Sequence, residues 1–137
     1  MQELIEILHR GNHSLVVAAG GNVSVYDGRG VSDLYRLLDQ SPVILRGADI
    51  ADKVVGKGAA ALMILGRVGC VHADVISTPA LRLFETSGVK VTFDAEVPNI
   101  INRAGTGVCP VETLCLDCRT AEECLPLITR FVNSLKK

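Results

Sequence analysis

From Val54 to Leu65 every residue is apolar or glycine except Lys57. A segment apolar on all sides predicts a buried helix. We read one across this stretch, with Asp49 or Asp52 near its N-terminus, where an acid is stabilising. Its small residues, Gly56, Gly58 and Ala59 to Ala61, let neighbouring backbones come close. Upstream, Leu4, Ile5, Ile7 and Leu8 fall on one helical face and predict a first helix stopped at Gly11-Asn12. Leu15 to Ala18 and Val23 to Tyr26 flank Gly20-Gly21-Asn22, a hairpin signal. Asp33 to Gln40 reads as a short helix capped by Ser32 or Asp33. Val43 to Leu45 reads as an extended segment after Pro42.

Downstream, Val68 to Ile76 predicts a strand. Ser77-Thr78-Pro79 is a helix start, with a capping hydroxyl and a proline in the first turn. That helix runs to Gly88, and Val89 to Phe93 alternates as a strand. Asn99 to Arg103 predicts a helical turn, and residues 104–108 a loop. Thr120 and Glu123 form a capping box before a terminal helix whose core face is Leu125, Ile128, Phe131, Val132 and Leu135. A hairpin followed by helix-linked strands predicts a mixed sheet with helices packed on it, an α/β sandwich in one domain over residues 1–137.

Composition narrows the function classes. A formal net charge of −1 and 4% aromatics give no electrostatic or stacking case for nucleic acid, and none for a charged membrane surface. No apolar run reaches the roughly 18 to 20 residues that span a bilayer. The N-terminus begins acidic and amphipathic, unlike a signal peptide, so a cytoplasmic chain is expected. Its five cysteines, an odd number, are expected to be reduced thiols. Cys115-x-x-Cys118 has ligand-like spacing but no second knuckle, so no structural metal is assigned, and no cofactor.

Several short motifs carry a resemblance: Gly56-Lys57-Gly58-Ala59-Ala60, Ser77-x-x-Ala80, Gly88-Val89, Val97-Pro98-x-Ile100, Asn102-Arg103 and Cys109-Pro110-Val111-Glu112. In combination they resemble an uncharacterised bacterial family, domain of unknown function 1893, a zinc-less branch of the cytidine deaminase-like superfamily. The resemblance implies a three-layer sandwich with a mixed sheet. It also implies a departure. A zinc deaminase needs His or Cys followed by Ala-Glu on its second helix, and Pro-Cys-x-x-Cys at the start of the next. Here the second helix carries Gly-Lys-Gly-Ala-Ala, and Ala80 and Leu83 stand where the cysteines would be. The resemblance therefore disfavours zinc-dependent hydrolytic deamination, while leaving room for zinc-free chemistry.

Lys57 is the first candidate for what remains. It reads as an anion anchor or a catalytic amine at the former metal position, or as a structural lysine paired with Asp49, Asp52 or another carboxylate. Ser77 and Thr78 sit at a helix start, where backbone N–H groups attract anions or the hydroxyl simply caps. Asn102, Arg103, Cys109 and Glu112 lie in a polar, glycine-containing segment suited to a ligand: Arg103 for an anion, Glu112 as acid or base, Cys109 as nucleophile. Cys70, His72 and Asp74 share one strand face. They suggest a nucleophile and its base, or a core cysteine with an edge histidine. Two readings of function follow: a domain that binds a small anionic or nucleotide-like metabolite near Lys57, with Asp52 among its ligand-binding residues, or a non-catalytic, homo-oligomeric regulatory module. A cysteine-based metal or redox protein is a third.

Overall fold

Gly20 and Gly21 have φ of +56° and +84°. Two consecutive positive φ values match a two-residue turn to the twist of its strands, and the turn joins β1 (Leu15–Ala19) to β2 (Asn22–Tyr26) in antiparallel register. The hairpin is the first part of the sheet in a computed structural model that describes residues 1–28, 31–101, 105 and 107–135. Helix α1 (Gln2–Arg10) precedes it. After it come α2 (Ser32–Gln40), α3 (Pro42–Leu45), β3 (Asp49–Val55), α4 (Lys57–Leu65), β4 (Cys70–Ser77), α5 (Thr78–Glu85), β5 (Lys90–Val97), α6 (Pro110–Cys115) and α7 (Ala121–Ser134).

The five strands form one mixed sheet in the order β2-β1-β3-β4-β5. β1 runs antiparallel to β3, whereas β3, β4 and β5 are mutually parallel. Helices lie on both faces. Leu4 and Leu8 of α1 pack on Val16 and Ala51 from one side. From the other, Val17, Ile50, Val71 and Ile76 meet α2, α4, α5 and α7 in the main core. Helix α4 is buried through Met63. Its Gly58 is required by packing, since a Cβ there would stand 2.3 Å from Val111 Cγ1.

Two segments differ from expectation. Residues 49–55 are a strand, not the start of the buried helix. Val54-Val55 favours extended backbone, and Gly56, at φ −96° and ψ −179°, is extended and ends it. The helix begins at Lys57, so the lysine is a first-turn residue rather than a mid-helix one. Pro42–Leu45 is a short helix, not extended, with Pro42 in the first turn, where it is compatible with a helix. The capping box before α7 is present in shifted form: Thr120 accepts the Glu123 N–H at 3.2 Å, and the Glu123 carboxylate reaches the Arg119 N–H at 3.1 Å. Among the described residues no helix is long and apolar enough to cross a membrane.

Candidate functional site

The parallel register that pairs Val55 with Ile76 brings two strand-to-helix junctions side by side. Gly56-Lys57 opens α4 and Ser77-Thr78 opens α5, both at the carboxyl ends of their strands, where α/β folds commonly build sites. Helix N-termini leave backbone N–H groups without internal partners. Here Glu112 meets that need directly at α4 and, at α5, through the Ser77 hydroxyl that caps it. Its Oε1 accepts the Lys57 N–H at 3.0 Å and the Ser77 hydroxyl at 2.8 Å, and its Oε2 accepts the Ile100 N–H at 2.8 Å. Ser77 Oγ in turn accepts the Ala80 N–H at 3.2 Å, the expected cap of α5. Glu112 is only 1% exposed, so the chain supplies its own anion to the two helix starts.

The Lys57 side chain runs the other way. Its ammonium donates to Leu116 O at 2.9 Å and to Cys118 O, two carbonyls in the turn that follows α6. A cation there satisfies C-terminal carbonyls and complements the helix dipole. Neither Asp49 nor Asp52 is its partner. An ammonium has three donors. With two held by carbonyls, Lys57 still lines an open groove of about 660 Å³. Thr78, Arg82, Asn99 and Arg119 line the same groove, with Leu83 and Pro98 as apolar walls. Among the described residues its lining includes three cationic side chains and no carboxylate. Three acids outside the lining bond to it from behind: Glu96 accepts the Thr78 hydroxyl at 2.7 Å, Glu112 the Lys57 N–H and Glu123 the Arg119 N–H.

The structure thus brings Lys57, Ser77, Thr78 and Glu112 together. Cys109 is half-buried at the start of α6, and its N–H donates to Ile100 O at 2.8 Å. Asn102 and Arg103 lie outside the described residues. Asp52 is held in β3, opposite Ala73 of β4 and Leu15 of β1, and does not line the groove. Burial pushes its carboxyl up to about 7, the Val54 N–H opposes that rise, and the Asp74 charge adds to it. Arg82, Asn99 and Arg119 were not singled out from the sequence. They come from three separate segments, and no spacing pattern joins them.

Two further clusters complete the chemistry. Cys115, Cys118 and Cys124 lie close enough to perturb one another's ionisation, and all five cysteines are free thiols. Burial, with Cys124 beside it, pushes the Cys118 thiol up to about 11, and the neighbouring Cys115, together with burial, pushes Cys124 up as well. On the α1 side of the sheet, His72 is 6% exposed and sits on β4 between two strands, not at an edge. Asp74 two residues on accepts from His9 of α1 at 2.7 Å.

A family profile described as "TM1506: Domain of unknown function (DUF1893)" matches residues 3–132. No curated protein matches the chain. Among solved structures, the chain is similar to that of a DUF1893 family protein, TM1506 from Thermotoga maritima, determined by crystallography at 2.70 Å. The similarity has a TM-score of 0.86 and 27% identity, and it covers 94% of this chain and 87% of that one. With the profile spanning all but the chain's ends, this protein belongs to the DUF1893 family.

Proposed function

We propose that this chain is a zinc-free domain of cytidine deaminase-like fold that binds a small anionic metabolite, such as a nucleotide, in the Lys57 groove. The observation that carries the reading is the groove's lining: Lys57, Arg82 and Arg119 converge on one concavity with Thr78 and Asn99 and, among the described residues, no carboxylate. Guanidinium pairs suit phosphate or carboxylate recognition, and the hydroxyl and amide add neutral hydrogen bonds. The apolar walls suit a ring or an alkyl portion.

The deaminase-like assignment is supported by the paired starts of α4 and α5, the two places where the resemblance puts a deaminase's metal ligands. In this chain the residues there are Lys57, Ser77 and Ala80, and the Glu112 carboxylate lies between them. Glu112 then serves as a positioning residue: it fixes the Lys57 backbone and the Ser77 cap, and so sets the groove wall. Lys57 serves as the anchor whose remaining donor faces a ligand.

The test is a thermal-shift comparison of the wild type with an Arg82→Ala/Arg119→Ala variant, using inorganic phosphate and CMP as probes. Both arginines are exposed, so the variant keeps the wild-type melting temperature without ligand. A probe at about 100 times its Kd stabilises the wild type by about 2.7 kcal/mol. That shift is lost in the variant. Equal shifts in both proteins, or none in either, would remove the groove from consideration.

A further inference from the structure

We propose that His72, Asp74 and Asp94 form a binding site for a first-row divalent metal ion on the α1 face of the sheet, separate from the Lys57 groove. The register sets the site up. His72 pairs with Thr92 across the parallel β4–β5 ladder, which brings Asp74 and Asp94, each two residues on, to the same end. One ligand atom from each of the three residues lies within 4.8 Å of the others. His72 Nε2 is 3.6 Å from Asp74 Oδ1 and 3.7 Å from Asp94 Oδ2. Bonds of about 2.0–2.2 Å to a tetrahedral ion separate two donors by about 3.4 Å, so a small inward shift completes the set.

These separations are too long for hydrogen bonds, and two of the atoms are left without partners. His72 Nε2 and Asp74 Oδ1 are both buried and, among the described residues, neither has a hydrogen-bond partner. A buried polar atom without a partner is unfavourable, and a bound ion is one way to satisfy it. The surroundings suit metal rather than a proton alone. His72 Nδ1 is 2.9 Å from Thr92 Oγ1. In the tautomer that donates there, Nε2 turns its lone pair toward the carboxylates. A histidine oriented in this way through its second nitrogen is the usual arrangement of a metal ligand. Asp74 is oriented too, since His9 Nε2 takes Oδ2 and leaves Oδ1 directed at His72. The Asp94 side chain is 65% exposed, so the set opens to solvent there and leaves coordination positions for water. One imidazole with two carboxylates suits zinc, manganese or iron(II) better than calcium, which prefers oxygen alone.

The test uses the full chain, stripped with chelator and dialysed, and titrated with Zn²⁺ by calorimetry. The wild type binds one equivalent. Asp94→Asn, at an exposed position that leaves the fold intact, weakens binding at least tenfold, and His72→Gln abolishes it. Thr92→Val weakens it by about 10-fold, the usual size of losing such an orienting partner. Co²⁺ gives a second readout: a visible d–d band without thiolate charge transfer, lost in His72→Gln. Absence of stoichiometric binding, unchanged affinity in Asp94→Asn, or a thiolate charge-transfer band would overturn the site.

Discussion

Glu112 Oε1 accepts the backbone N–H of Lys57 at 3.0 Å, joining a buried carboxylate on α6 to the first residue of α4. The same oxygen holds Ser77 and the other holds Ile100, so one side chain ties two helix starts to the segment before α6. Glu112→Gln tests how much depends on its charge. The amide oxygen can keep Lys57 and Ser77, but its NH₂ then faces the Ile100 N–H, donor against donor. Leaving that N–H unpaired costs about 1–3 kcal/mol. Chemical denaturation of the purified variant should show a loss of that size with an unchanged m-value. A variant as stable as the wild type would mean that Glu112 does not organise the junction.

Gly58 offers a prediction with the opposite sign to the general rule. Alanine in place of a helical glycine usually stabilises by about 1 kcal/mol. Here the new methyl would meet the buried, β-branched Val111 at 2.3 Å. A stiff neighbour in a packed interior yields poorly, and overpacking of this kind costs about 1–3 kcal/mol. Gly58→Ala should therefore lower the melting temperature, and Gly58→Ala with Val111→Ala should recover part of the loss. A stabilised single variant would show that α4 and α6 pack more loosely than described.

Much of this arrangement is legible in the sequence, for reasons tied to particular residues. The Gly20-Gly21 turn, the Ser77 cap and the Thr120–Glu123 box each leave a local signature, because a local backbone need selects the residue. The division at Gly56 does not. Apart from Lys57, Val54 to Leu65 is apolar or glycine, so the last two residues of β3 run into the all-round buried α4 with no polar position to mark the change of periodicity. Lys57 stands out as the one charge in that stretch, yet its partners, two carbonyls beyond α6, are set by tertiary packing. The groove is less legible still: Arg82 and Arg119 look like ordinary surface residues until the fold brings them to Lys57.

Asp52 gives the molecule a pH dependence. Its carboxyl titrates near 3.8 when unperturbed but at about 7 in the fold, chiefly because burial disfavours the charge. Between those values the folded chain holds a proton that the unfolded chain has released. Raising the pH across that window therefore destabilises the fold, by on the order of 2–4 kcal/mol. Below the window both states are protonated, and above it both are ionised, so the contribution is flat on either side. Urea denaturation of chelator-treated protein from pH 4 to pH 8 should show the decline, and Asp52→Asn should be less steep across the same range. Parallel curves for the two proteins would refute the assignment.

The central claim is that the concavity beside Lys57 takes a small anion. At 14.6 kDa the chain is well suited to a backbone amide NMR titration, which reports position as well as affinity. With CMP as the probe, saturable shifts should concentrate on Lys57, Thr78, Arg82, Asn99 and Arg119, while amides of α1 and β2 stay fixed. Saturable shifts centred elsewhere, or a spectrum unchanged at millimolar CMP and phosphate, would contradict it.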